Sequence, residues 1–77
     1  MDIFEKLKEM AKQEMDMDIS LETRLKEDLD LDSIGLLEFV MQIEDEFGIE
    51  LPDEGVEDIK TIADAVKLIE GVKGENR

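Results

Sequence analysis

The stretch Asp28-Leu-Asp-Leu-Asp-Ser-Ile-Gly-Leu-Leu-Glu-Phe39 decides the reading of this 77-residue chain, because an acidic loop turns there into an apolar helical pattern at one serine, Ser33. A helix N-terminus presents unpaired N–H groups and a partial positive charge, so a phosphate bonded to Ser33 would be stabilised even among aspartates. The same serine also fits a plain N-cap, although no reciprocal capping box supports that role, since three residues on stands Leu36. A catalytic nucleophile is a poor fit. A hydroxyl needs a base, and the chain has no histidine and no cysteine. The neighbouring Asp32 is where a capping carboxylate is found more often than a general base.

Working forward from Ser33, a helix is expected to run to about Phe47 and to stop at Gly48 as a left-handed cap. About 100° of rotation per residue places Leu36, Phe39, Val40, Ile43 and Phe47 on one face, the natural core stripe. Ile34, Leu37 and Met41 fall on an adjacent arc, interspersed with Glu38, Glu44 and Asp45. Two readings of that second strip stand side by side. It packs beneath a neighbouring loop, or it forms a partly exposed patch that anchors a partner while the acids steer encounter.

Working backward, Asp2 opens a first helix whose apolar positions Ile3, Leu7, Met10, Ala11 and Met15 recur at helical spacing. From Asp16 to Asp32 the periodicity weakens, and a long ordered loop is expected, anchored by Ile19, Leu21, Leu25, Leu29 and Leu31. Beyond Pro52 a short third helix is expected near Asp53 to Asp58. Thr61 with Asp64 three residues later marks the start of a fourth helix, expected to end near Gly71, with a frayed tail from Val72 to Arg77. No alternating apolar run argues for a sheet. The fold class is therefore all-α: three longer helices and a short third one in a four-helix bundle, with a long loop between the first two helices. The length fits one domain spanning 1–77, ordered over about 2–71.

Charge narrows the function classes. The 23 acids and 9 basic residues give a net charge of −14. Phosphate backbones and anionic membrane surfaces are bound by Lys and Arg clusters, so neither nucleic acid nor a membrane is an expected partner. From Glu27 to Ile59 there are 13 acids and not one Lys or Arg. That central segment is either a solvated face that keeps a small protein dispersed or a docking surface for basic partners. The N-terminus lacks a basic region followed by an apolar run, and no stretch approaches a membrane span, so the chain is read as unexported and cytoplasmic. Its lack of cysteine fits a reducing compartment.

The alternation Asp28, Asp30, Asp32 raises a calcium loop, which fails its own test. Counting from Asp28, the sixth position needs Gly and the twelfth Glu, and here they are Ser33 and Phe39. No metal site is expected.

Taken together, the residues resemble the acyl carrier proteins. Asp32-Ser33-Ile34 is similar to their Asp-Ser-Leu motif, and Glu38-Phe-Val-Met-Gln-Ile-Glu-Asp-Glu-Phe47 followed by Ile49-Glu-Leu-Pro-Asp-Glu54 resembles the segment that follows it. The similarity spans roughly residues 2 to 70. It implies that Ser33 receives a 4′-phosphopantetheine group from coenzyme A through a separate phosphopantetheinyl transferase, with Asp32 as its motif neighbour. The arm's thiol would carry acyl chains as thioesters, so the protein would be a carrier and not an enzyme. By the same resemblance, the surface for acyl-processing enzymes with basic docking patches would comprise Ile34, Leu37, Glu38, Met41, Glu44 and Asp45, extended by Glu50, Asp53, Val56 and Glu57. The acyl chain would shelter near Phe39, Ile43, Leu51, Ile59 and Ile62. The carrier is expected to be a monomer.

Three departures from the family's usual pattern bear on the pathway. Ile34 replaces the more usual leucine, Gly35 occupies a place often acidic or polar, and the common Gly two residues before the aspartate is here Asp30. Delivery to fatty-acid biosynthesis is the leading expectation. A specialised carrier for a polyketide, lipid or aminoacyl pathway is the alternative, and an unmodified acidic adaptor or metal-binding module is the remote one.

Overall fold

Four helices follow one another along the chain in a computed structural model that describes residues 2–75. They are α1 (Ile3–Met15), α2 (Ser33–Phe47), α3 (Asp53–Asp58) and α4 (Ile62–Glu75). Among the described residues there is no strand, and the all-α expectation holds.

Local chemistry explains each boundary. The Asp2 carboxylate accepts the Glu5 N–H at 2.8 Å and starts α1. Asp16 ends it in a left-handed conformation, φ 53°, donating its N–H to the Ala11 and Lys12 carbonyls. Gly48 ends α2 with φ 66°, the conformation glycine adopts without a Cβ penalty. At α4, the Asp64 N–H donates to Thr61 Oγ1 at 3.3 Å, while Asp64 Oδ2 accepts from the Lys60 and Thr61 amides at 3.1 and 3.3 Å. This is the reciprocal cap that the Thr61 and Asp64 spacing indicates.

The end of α4 differs from the sequence expectation. The helix runs through Gly71 to Glu75 instead of stopping at Gly71. Among the described residues Gly48 is the only glycine with a positive φ, so Gly71 does not act as a left-handed cap. Val72, expected in a frayed tail, packs against the core and carries the helix on. Asn76 and Arg77 lie outside the described residues.

One core joins all four helices and the long loop. Leu7, Met10 and Ala11 from α1 meet Phe39, Val40 and Ile43 from α2, Val56 from α3, and Ile62, Ala65 and Ile69 from α4. The loop contributes Ile19, Leu25 and Leu29, with Leu31 partly buried. Leu21, expected as another anchor, is exposed. Its contribution is through the backbone, because its carbonyl accepts the Ala63 N–H at 2.9 Å. Two further bonds of 2.9 Å, Leu25 N–H to the Lys60 carbonyl and Ile62 N–H to the Thr23 carbonyl, fasten the loop to the α3–α4 junction. Arg24 secures the same segment, pairing with Glu27 and with Asp28. The loop is thus ordered by non-local hydrogen bonds and apolar anchors, and it delivers the chain to the start of α2.

Candidate functional site

Ser33 is the first residue of α2, and the cap before it is Asp32. Asp32 has an extended backbone, φ −86° and ψ −169°, and its Oδ1 accepts the Gly35 N–H at 2.7 Å. The N-cap reading of Ser33 is thereby corrected. The aspartate one residue earlier has the reach to the third helical amide, which leaves the serine hydroxyl without a capping duty. Ser33 is exposed. The amides of Ser33 and Ile34 precede the first intrahelical bond of α2, in which the Leu36 N–H donates to the Asp32 carbonyl at 2.8 Å. An anion on Ser33 Oγ therefore meets the positive end of a 15-residue helix. The residues fit a phosphate-linked group: the hydroxyl is free, accessible and next to uncommitted donors. The 4′-phosphopantetheine implied by the family resemblance would, if bound here, supply a thiol to carry acyl chains as thioesters.

Beside Ser33, α2 displays an apolar strip. Ile34, Leu37 and Met41 are 68%, 58% and 64% exposed. The reading in which they lie beneath the loop is overturned, because Leu25, Leu29 and Leu31 of the loop pack toward the core instead. Glu38 and Asp45 flank the strip and are exposed; with Met41 and Gln42 they line a shallow groove of about 320 Å³. In the sequence Gln42 is an ordinary polar residue on a helix and carries no signal of its place here. Its Oε1 is buried with no hydrogen-bond partner among the described residues.

The remaining expected partner residues divide. Glu50, Asp53 and Glu57 are exposed and extend the acidic surface along the α2–α3 turn and α3. Glu44 is only half-exposed, and its carboxylate accepts the Leu51 N–H at 2.8 Å, which ties α2 to the segment before α3. Val56 is a correction: it is buried in the core. In a six-residue helix carrying Asp53, Glu54, Glu57 and Asp58, Val56 is the one buried side chain, so it fastens α3 inward. Gly55 assists that close approach, since a Cβ built on it would lie 2.6 Å from Leu68 Cδ1 on α4.

The five residues expected to shelter an acyl chain lie together in the interior. Phe39, Ile43, Leu51, Ile59 and Ile62 are all buried members of the same core. An open cleft of about 830 Å³ lies elsewhere, lined by Ile49, Leu51, Pro52, Leu68 and Val72 among others. Leu51 alone of the five reaches it.

Electrostatically, the site sits on the cation-free segment of the chain. The Arg24 guanidinium holds the Asp28 carboxyl below its ordinary value, and hydrogen bonds from Lys60 and Thr61 hold Asp64 low. Lys6 and Lys73 approach the Phe47 ring at 4.9 and 5.4 Å, placing two cations at the C-terminal end of α2, whose last turn has no basic residue of its own. Among the described residues no group of His, Cys, Asp or Glu is arranged to hold a metal ion, and no helix is long and apolar enough to cross a membrane.

Comparison with known proteins agrees with this geometry. Residues 5–69 match the family described as the phosphopantetheine attachment site. An acyl carrier protein of Lactobacillus acidophilus is 45% identical over 76 residues, covering 95% of each chain. One from Helicobacter hepaticus is 42% identical, covering 95% of this chain and all of the relative. The crystal structure of an acyl carrier protein from Thermotoga maritima superposes with a TM-score of 0.82 at 29% identity, covering 97% of this chain and 91% of that one. The chain belongs to the acyl carrier proteins, non-enzymatic carriers whose cofactor is a covalently attached 4′-phosphopantetheine.

Proposed function

We propose that Ser33 is the attachment point and that the loaded carrier delivers acyl thioesters to the enzymes of fatty-acid biosynthesis in the cytoplasm. The observation that carries the reading is the exposed Ser33 hydroxyl at the first residue of α2, freed from capping by Asp32. The carrier supplies a tethered substrate at high effective concentration, and the chemistry belongs to its partners.

Docking uses the exposed strip of Ile34, Leu37 and Met41 within a frame of Glu38, Asp45, Glu50, Asp53 and Glu57. Apolar contact supplies affinity, and the acids select basic patches and speed encounter. Phe39, Ile43, Leu51, Ile59 and Ile62 shelter the acyl chain by parting, which a core otherwise built of aliphatic and Met side chains and bounded by a six-residue helix allows.

Incubation with coenzyme A and a broad-specificity phosphopantetheinyl transferase, followed by intact mass measurement, tests the attachment. One prosthetic group is expected on the wild type and none on Ser33→Ala. Addition to the variant, or none to the wild type, overturns the assignment. Acyl groups released from carrier isolated from its own cells test the pathway. Saturated and 3-hydroxy fatty-acyl chains support it, whereas polyketide or aminoacyl thioesters point to a specialised carrier.

A further inference from the structure

We propose that Leu31 and Gly35 form a matched pair that positions Ser33 for loading. The inference rests on Ser33 being the attachment point. It begins with the backbone: Asp30 is left-handed, φ 56°, a conformation short polar residues tolerate better than others. That turn brings Leu31 onto the core, where its side chain is partly buried and its N–H donates to the Leu25 carbonyl at 3.2 Å.

Leu31 then lies against the first turn of α2 at the place where residue 35 has no side chain. A Cβ built on Gly35 would stand 3.3 Å from Leu31 Cδ2, 3.7 Å from Leu31 Cβ and 3.2 Å from Asp32 Oδ1. The first and last of these are tighter than ordinary van der Waals contact, so the leucine, the capping carboxylate or both must give way by a few tenths of an ångström. The atom at risk is the one that starts the helix, since Asp32 Oδ1 accepts the Gly35 N–H at 2.7 Å. Ser33 is covalently between the two partners of that bond. Leu31 on one side and the empty space at Gly35 on the other thus hold the cap, and the cap sets the direction of the serine hydroxyl.

Direction matters to the loading step. Ser33 Oγ bonds to the phosphorus that bears the pantetheine group of coenzyme A, and the bond from that phosphorus to the bridging oxygen breaks. Adenosine 3′,5′-bisphosphate leaves with the bonding pair, and the serine proton passes to a base on the transferase. An in-line displacement of this kind is sensitive to misplacement of the nucleophile by about 1 Å.

Alanine is a much better helix former than glycine, so a purely local view predicts that Gly35→Ala is more stable and loads normally. The matched pair predicts slower loading in a protein that remains folded. Steady-state loading with coenzyme A and the broad-specificity transferase should show kcat for Gly35→Ala reduced about five- to tenfold, with KM for the carrier little changed because Ile34, Leu37 and Met41 are untouched. Leu31→Val, which removes the Cδ atoms, relieves the Leu31 contact and leaves the Asp32 one, so combined with Gly35→Ala it should raise kcat at least about twofold over the single variant without full recovery. Thermal melts confirm folding in each case. Wild-type kcat for Gly35→Ala, or a double variant no faster than the single one, overturns the pairing. Failure of the wild type to load, or loading of Ser33→Ala, instead overturns the attachment reading beneath it.

Discussion

The two faces of α2 carry similar side chains and meet opposite fates. Phe39 and Ile43 are 2% and 0% exposed, while Ile34, Leu37 and Met41, a fraction of a turn away, are more than half exposed. Both faces are apolar. The difference lies in what the rest of the chain places against them. Helices α1 and α4 and the loop anchors converge on one side, and the other is left bordered by acids. An apolar face in a highly charged small protein is therefore not by itself a core signal, and fencing by carboxylates is what sets the exposed strip apart.

The largest test of the contrast is truncation at the centre of the buried face. Phe39→Ala should cost about 3–5 kcal/mol, much of the stability a domain of this size has, read as a fall in the urea midpoint or outright loss of the cooperative transition. A loss below about 1 kcal/mol would mean that this face is not the core. Next comes the turn that joins the two faces to Ser33. Asp32→Ala removes the cap of α2 and should cost about 1 kcal/mol in the same measurement.

The contrast extends to carboxylates. Hydrogen bonds from the Lys60 and Thr61 amides lower the pKa of Asp64 from its ordinary 3.8, and Arg24 lowers that of Asp28. A lowered folded-state pKa stabilises the fold above the unfolded value, and that contribution disappears as the pH falls through the folded one. Asp64→Asn should therefore be less stable than wild type at neutral pH, with the difference narrowing below pH 3.8. A pH-independent difference would remove the cap from the account of acid unfolding.

On the exposed face, Leu37→Ala should change stability by less than about 0.5 kcal/mol. Its effect should appear instead as a higher KM for the carrier with partner enzymes. The reverse pattern, lost stability with unchanged KM, would make the strip part of the core. The smallest expected effect is that of salt. With a net charge of −14, raising ionic strength should lift the melting temperature by a few degrees as it screens repulsion on the acidic face. A flat titration would show that these acids are too well spaced to strain the fold.

Much of this was legible in the residues. Asp2, Gly48 and the Thr61 and Asp64 pair punctuate helices by local hydrogen bonding, which depends on neighbours three or four positions away. The core stripe of α2 follows from period alone. What local chemistry could not indicate was that Asp32 would outcompete Ser33 for the cap, since both are good capping residues and the choice follows from the backbone, extended at Asp32 and already helical at Ser33. Gly71 looked like a stop, yet packing of Val72 carries α4 past it. Val56 looked like a surface residue in an acidic segment, and α3 turns it inward.

The sequence by itself determined the helical class, the positions of most helix ends, the acidic centre of the chain and the serine at its hinge. These are properties of short stretches, fixed by side-chain period, capping and composition. Only the tertiary structure decided which apolar face of α2 is covered, that Leu21 holds the loop through its backbone and not its side chain, and that Leu31 fills the space beside Gly35. Those outcomes depend on residues distant in sequence meeting in space, and a close contact between two side chains has no signature in either one alone.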